Sequence, residues 1–259
     1  MSAKTLVSWN VNGVRAIYKK GFLEWLDKSQ YDVVCLQETK VSEEKLIPTD
    51  LVHPHGYTGY WDYATEKKGY SGVVTFARDK PRSVTINFGD SVLSREGRLV
   101  EADFGDFVLL NVYFPNGKAS DERLQYKMNF YDHFLEYLLK LKKQDRKIIF
   151  CGDVNTAHTE LDIARPKENS KVSGFLPIER AWLDKLTAAG FIDTFRLFEK
   201  GGGHYSWWDQ FTHARERNVG WRIDYFFVSD NLRHQVKSAF ILADVLGSDH
   251  CPVGITLKL

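Results

Sequence analysis

The chain has 259 residues, 43% of them hydrophobic and 27% charged, which is the make-up of a globular protein with a substantial core and excludes a disordered or fibrous chain. Thirty-five Lys and Arg against thirty-four Asp and Glu leave a formal charge of +1. That balance excludes a broadly basic field, so any phosphate binding must come from local clusters.

In chain order, the first apolar run, 5–9, reads as a strand that stops at Asn10 and Asn12. With only one Lys before Gly13, this start resembles neither a secretory signal nor a membrane span. A helix over roughly 14–27 follows, and then short β-rich runs at 33–36, 72–76 and 108–113. The clearest helix covers 121–143, with Leu124, Met128, Tyr131, Phe134 or Leu135, and Leu138 at three- and four-residue spacing, and Ser120 as N-cap. A strand at 147–151 comes next. Another helix begins near Pro177 and ends before Gly190, burying Trp182, Leu183 and Leu186. The last strands are 223–228 and 253–257.

Strands interleaved with helices predict an α+β fold in the form of a four-layer α/β sandwich, two packed mixed sheets with helices on the outer faces. No linker or low-complexity tract divides it, so a single domain over 1–259 is expected. An internal echo predicts a pseudo-two-fold: Asn10-Val11-Asn12 ends one strand and Asp153-Val154-Asn155 another. Residues i and i+2 share a strand face, so each pair should project together, and the sandwich should bring both to one edge. Cys35, Cys151 and Cys251 lie in apolar runs, are odd in number and lack metal-ligand spacing, which predicts reduced buried thiols and a cytoplasmic, reducing compartment. An aromatic content of 14%, with seven Trp, leaves rings available for a binding surface.

Several apolar runs stop abruptly at polar residues: Asn10 and Asn12, Gln37 and Glu38, Tyr113 and Asn116, Asp153 and Asn155, and Ser248-Asp249-His250, while Asp224 adds a carboxylate within another. Any one of these is more often a turn former. Together, carboxylates and amides without thiolates or a His cluster describe an oxygen-rich site for a hard cation and phosphate.

Six segments carry a resemblance. They are Ser8-Trp9-Asn10-Val11-Asn12-Gly13, Leu36-Gln37-Glu38-Thr39-Lys40, Asn111-Val112-Tyr113-Phe114-Pro115-Asn116, Gly152-Asp153-Val154-Asn155-Thr156-Ala157-His158, Trp221-Arg222-Ile223-Asp224-Tyr225-Phe226 and Gly247-Ser248-Asp249-His250-Cys251-Pro252. In type and order the chain resembles the exonuclease III family of abasic-site (AP) endonucleases, within the metal-dependent endonuclease, exonuclease and phosphatase superfamily. The resemblance implies Mg²⁺-dependent hydrolysis of the phosphodiester 5′ to an abasic site in DNA base-excision repair, leaving a 3′-hydroxyl and a 5′-deoxyribose phosphate. It also implies 3′-phosphodiesterase and 3′–5′ exonuclease side activity, with Mn²⁺ as a possible substitute. The partner implied is double-stranded DNA containing abasic sites, bound by a monomer away from any membrane. The N-terminal extension of some eukaryotic relatives is not expected, because the first catalytic strand lies close to Met1.

Residue by residue, the resemblance gives Glu38, with Asn12 and Asp249, to the metal. Many relatives carry Asp where this chain has Asn12, so its contribution there is weaker or through water. Asp153 would deprotonate the attacking water, Asn155 would position it, and Asp224 would hold His250 as a charged donor to phosphate. Tyr113 and Asn116 would donate to phosphate, and Asn10 would anchor neighbouring groups. A phenolate at Tyr113 would demand a large pKa depression, so a neutral phenol is expected. Outside this set His250 would read as a strand-edge histidine and Tyr113 as a core aromatic; His158, His213 and His234 keep such ordinary readings, and Trp208 reads as core.

For the substrate, Trp207, Phe211, Trp221 and Ile223 should box an extruded baseless sugar, beside the small Ser173 and Gly174 of a recognition loop over 169–175. Arg15, Lys118, Lys167, Lys171, Arg215 and Arg217 are candidate phosphate contacts. The alternatives are a mainly 3′–5′ exodeoxyribonuclease of the same family, a phosphoinositide or sphingolipid hydrolase, and a catalytically silent nucleic-acid-binding module. Trp221-Arg222-Ile223-Asp224-Tyr225 and Asn111-Val112-Tyr113, which resemble the DNA-repair branch of the superfamily, and the lack of a membrane-binding amphipathic segment oppose the lipid reading. The full set of acidic residues with His250 opposes the silent one.

Overall fold

The computed structural model describes residues 3–87 and 95–259. Its strands are β1 (Ala3–Asn10), β2 (Val33–Gln37), β3 (Thr58–Asp62), β4 (Val73–Ala77), β5 (Ser83–Ile86), β6 (Leu99–Asp103) and β7 (Val108–Val112). After them come β8 (Ile148–Asp153), β9 (Phe191–Asp193), β10 (Trp207–Trp208), β11 (Gly220–Trp221), β12 (Asp224–Ser229), β13 (Val236–Ile241) and β14 (Val253–Lys258). The helices are α1 (Val14–Lys19), α2 (Phe22–Ser29), α3 (Thr49–Val52), α4 (Asp121–Lys143), α5 (Pro166–Asn169), α6 (Pro177–Ala188) and α7 (Phe195–Phe198). None of the described helices is long and apolar enough to cross a membrane.

Two six-stranded mixed sheets form, in the orders β13-β14-β1-β2-β4-β3 and β5-β6-β7-β8-β12-β9. Each has one parallel pair at its centre, β1 with β2 and β7 with β8, flanked by antiparallel neighbours. The matching orders give the pseudo-two-fold, which relates β1 to β7 and β2 to β8. The echoed segments Asn10-Val11-Asn12 and Asp153-Val154-Asn155 therefore end strands, β1 and β8, that are not partners under that symmetry.

Alternation along each strand builds the layers. In β8, Ile148 and Phe150 face outward with Phe134 and Leu138 of α4 and Trp182 and Leu186 of α6. Ile149 and Cys151 face inward to meet Leu6, Cys35 and Ile255 of the other sheet. The outer face of the first sheet is covered by α1 and α2 through Val14, Ile17, Phe22 and Leu26. All three cysteines are free and buried.

Two local expectations need correction. The helix over 14–27 is broken, because Gly21 takes φ 87° and its N–H returns to the Tyr18 carbonyl, a helix stop that permits α2 to start in a new direction. In α4 the Ser120 hydroxyl does accept from the Arg123 amide at 3.2 Å. Its buried face, however, runs through Lys127, Phe130, Tyr131, Phe134 and Leu138, while Leu124, Met128 and Leu135 are only half-buried. Lys127 stands one turn before Tyr131, at the spacing of the buried face, where its charge hides the continuation of the stripe in the sequence.

Candidate active site

Parallel pairing sends the C-terminal ends of β1 and β2 to one edge, and likewise those of β7 and β8. The antiparallel neighbour β12 begins at the same edge, with Asp224 in register opposite Asp153. Asn10, Glu38, Tyr113 and Asp153 thus leave four strand ends together. Asn12 and Asn155 do not lie on strand faces as expected. Each follows its strand in left-handed conformation, φ 48° and 56°. The Asn10 carboxamide oxygen accepts the Asn12 amide at 3.0 Å, and an Asp153 oxygen accepts the Asn155 amide at 2.8 Å. The sequence echo is a repeated Asx turn, and Asn tolerates the left-handed backbone that it needs.

A continuous hydrogen-bond row crosses the edge. The Asn10 Nδ2 donates to Glu38 Oε1 at 3.0 Å and to Asp153 Oδ2 at 2.9 Å, which ties the two sheets together. Glu38 Oε1 also accepts the Tyr113 hydroxyl at 2.7 Å, and Lys40 Nζ lies 3.0 Å from Glu38 Oε2 while donating to Asn12 Oδ1. Asn155 donates to Asp153 Oδ2 at 3.2 Å and accepts from Asn116 at 2.9 Å. His250 Nδ1 lies 2.9 Å from Asp224 Oδ2, which also accepts the Ser206 hydroxyl at 2.6 Å; the opposite nitrogen, Nε2, lies 3.9 Å from Asp153 Oδ2. Asp249 accepts from Asn12 at 2.9 Å and from the Trp207 indole at 3.1 Å.

These contacts fix the charges. Burial, opposed by His250 and assisted by Asp224 and Glu38, pushes Asp153 up to about 7. Burial works to lower His250, but the bonded Asp224 carboxylate, then Asp153 and Asp249, raise it to about 10. Glu38 is lowered, since Lys40, Asn10, Tyr113 and His250 together outweigh its burial. Tyr113 is driven well above the ordinary phenol range by burial and by the charges of Glu38 and Asp153, so it stays a neutral donor at physiological pH.

Two groups could attract a metal. Ligand atoms of Asp153, Asp224 and His250 lie within 4.8 Å of one another. A ring that is charged up to about 10 and gives one nitrogen to Asp224 has no free lone pair, so this set is better matched to phosphate than to a cation. Glu38, Asn12 and Asp249 offer oxygen alone, and the Lys40 ammonium already lies against the first two. That donor set fits a hard divalent cation.

Beside the row lies a pocket of about 240 Å³, lined by Glu38, Asn116, Lys118, Asp153, Asn155, Val172, Ser173, Gly174, Trp207, Trp221, Ile223, Asp249 and His250. The rings of Trp207 and Trp221 meet edge to face at 6.1 Å. Gly174 has φ +99°, and a Cβ there would lie 2.9 Å from Trp221 Cζ3, so both backbone and space demand glycine.

Several of the residues expected at the substrate do not line this pocket. Phe211 is 97% exposed and does not line the pocket, because its loop turns outward where the Asp209 side chain accepts the Phe211 amide. Arg215 already has partners within the chain. Its guanidinium covers Trp208 and donates to the carbonyls of Ser248, Ala243 and Val245. Arg217 donates to the Thr212 carbonyl. Lys167 and Lys171 are exposed outside the pocket, and Arg15 belongs to a separate groove with Lys19 and Lys45. The sequence assigned no role to Lys40, which follows Glu38 by two residues, or to Ser206, which directly precedes Trp207, and only their partners mark them.

The family model described as "Endonuclease/Exonuclease/phosphatase family" matches residues 7–250. The chain is 43% identical over 256 residues to an exodeoxyribonuclease of Bacillus subtilis, covering 98% of this chain and 99% of that protein. It is 40% identical over 259 residues to the DNA repair nuclease APEX1 of Danio rerio, covering 98% and 82%. An AP endonuclease structure from Archaeoglobus fulgidus superposes with a TM-score of 0.89 at 27% identity, covering 99% of this chain and 100% of the other.

Proposed function

Since the chain belongs to the endonuclease/exonuclease/phosphatase family and is a metal-dependent nuclease, we propose that its pocket takes up an abasic sugar in double-stranded DNA and that the phosphodiester 5′ to it is hydrolysed. This makes the protein an AP endonuclease of base-excision repair, acting as a monomer through one catalytic domain. The observation that carries the reading is the direct contact of two chemistries in one pocket. Trp207, Trp221, Ile223 and Gly174 form an apolar wall, and Asp153, Asn155, His250 and Glu38 form a polar one. A deoxyribose without its base fits against indole rings, whereas an intact nucleotide is too bulky.

Glu38, with Asn12 and Asp249 beside it, would hold Mg²⁺, and Mn²⁺ could replace it. Bound there, the cation supplies Lewis acidity at the phosphoryl group and at the leaving oxygen. The chain's own groups do the rest. Asp153, with a pKa of about 7, takes the proton of the attacking water, which Asn155 aligns. As the water oxygen bonds to phosphorus, the bond to the 3′ oxygen breaks and that oxygen takes a proton from solvent, leaving a 3′-hydroxyl and a 5′-deoxyribose phosphate. His250, kept charged by Asp224, points its free N–H at a phosphate oxygen, and the Tyr113 phenol and Asn116 amide donate to the same group. Asn10 holds Glu38 and Asp153 at fixed separation.

A mainly 3′–5′ exonucleolytic role is the second reading, favoured by the identity to the Bacillus subtilis exodeoxyribonuclease. The test is a labelled duplex carrying one synthetic abasic site, incubated with Mg²⁺ or with a chelator, beside an intact recessed duplex. Incision 5′ to the lesion that needs the cation is expected. Shortening from the 3′ end without incision at the lesion would overturn the endonuclease reading in favour of the second.

A further inference from the structure

The apolar face of α4 carries one lysine, Lys127, and α6 carries one glutamate, Glu179, both wholly buried and 2.6 Å apart. Nothing about holding two helices together requires charge, since buried ion pairs are often replaceable by apolar residues without loss of stability. The remaining bonds of the pair lead to two short segments. Lys127 Nζ also donates to the Asn155 carbonyl at 2.8 Å and to the Thr156 hydroxyl at 2.9 Å. Glu179 accepts the Ser173 hydroxyl at 2.8 Å and the amides of Gly174 and Leu176 at 2.6 and 3.0 Å. A further bond, from the Ala157 amide to the Gly174 carbonyl at 2.8 Å, joins the two segments directly.

One segment holds Asn155 in its left-handed conformation at the end of β8. The other is the pocket wall at Ser173 and Gly174, against Trp221. We propose that Lys127 and Glu179 are positioning residues that lock the water-aligning Asn155 and the lesion-facing wall into one rigid unit, so that a sugar seated in the pocket is automatically in register with the hydrolytic groups. Resting on the AP endonuclease reading above, this inference adds two residues that never touch substrate. Releasing the Glu179 end removes three bonds of the wall and one of Lys127 and so loosens chiefly the wall, whereas releasing the Lys127 end loosens Asn155, which serves every substrate. The two ends should therefore fail differently.

The experiment compares wild type, Glu179→Gln, Lys127→Met and the double variant, which buries no net charge. Each is assayed well below its own melting temperature, for single-turnover abasic incision, 3′-terminal processing and affinity for undamaged duplex. In Glu179→Gln the ratio of incision to 3′ processing should fall at least tenfold. In Lys127→Met both rates should fall at least tenfold together, with duplex affinity unchanged. If either single variant does not fold, the double variant carries the test, and should lose both the ratio and the rate. Folded variants with wild-type rates and ratio would overturn the proposal and leave the pair a packing feature. A wild-type protein that does not incise abasic DNA would instead overturn the functional reading.

Discussion

Replacing Asp224 by Asn changes one charge beneath His250 while nearly preserving shape. In the intact protein, burial disfavours the imidazolium, and the Asp224 carboxylate at 2.9 Å is the main reason that the ring nevertheless rises from 6.5 to about 10. Such a rise corresponds to roughly 5 kcal/mol of preferential stabilisation of the charged ring. It contributes to folding fully below 6.5 and is lost as pH climbs through about 10. With a neutral amide beneath it, the burial cost is opposed only by the more distant Asp153 and Asp249, and the ring should titrate at or below 6.5. At pH 8 its charged fraction then falls from about 99% to about 3%, roughly thirtyfold. The wild-type pH–rate profile should be a bell, rising near 7 as Asp153 ionises and falling near 10 as His250 loses its proton. In Asp224→Asn the falling limb should cross below the rising one, leaving a low maximum on the acid side. Single-turnover incision across pH, paired with NMR titration of the His250 ring, measures both quantities. A variant that keeps its upper limb near 10, with a ring still charged at pH 8, would refute the role given to Asp224.

Three further outcomes are expected. Asp153→Asn should lower single-turnover incision by orders of magnitude while abasic-DNA affinity is kept or improved, because a charge facing phosphate is removed; a near wild-type rate would remove Asp153 as base. Trp221→Ala and Trp207→Ala should each lose roughly 1–3 kcal/mol of apolar contact with the sugar, so that incision drops relative to 3′-terminal processing, and an equal drop in both activities would return these rings to the core. Burial pushes Asp62 up to about 7 against the amides of Leu99, Arg98 and Tyr63, so ionising it costs stability as pH rises from about 4 through 7. Asp62→Asn should therefore melt higher than wild type at pH 8 with no such gain at pH 4, and an unchanged slope of melting temperature against pH would refute that assignment.

The chain sequence by itself determined what is local. The cap and length of α4, the alternation that sorts Ile148 and Phe150 from Ile149 and Cys151, and the polar stops at Asn10, Glu38 and Asp153 all depend on neighbours within a few residues, where spacing and turn chemistry act directly. The echo of Asn10-Val11-Asn12 in Asp153-Val154-Asn155 was legible for the same reason, but as paired residues on a strand face, and only the structure makes it two copies of one Asx turn. Only the tertiary structure decided which ends meet. Periodicity tells which face is apolar and is silent on what lies across it, so Lys127 and Glu179, 52 residues apart, read as surface charges until the packing of α4 on α6 buries them together. Likewise Trp207 and Phe211 are equivalent aromatics in sequence. One lines the pocket because β10 pairs with β11, and the other stands in solvent because the following loop turns away. The titration of Asp153 and His250 also belongs to the fold, since burial and charges from other strands set it, and those act through space rather than along the chain.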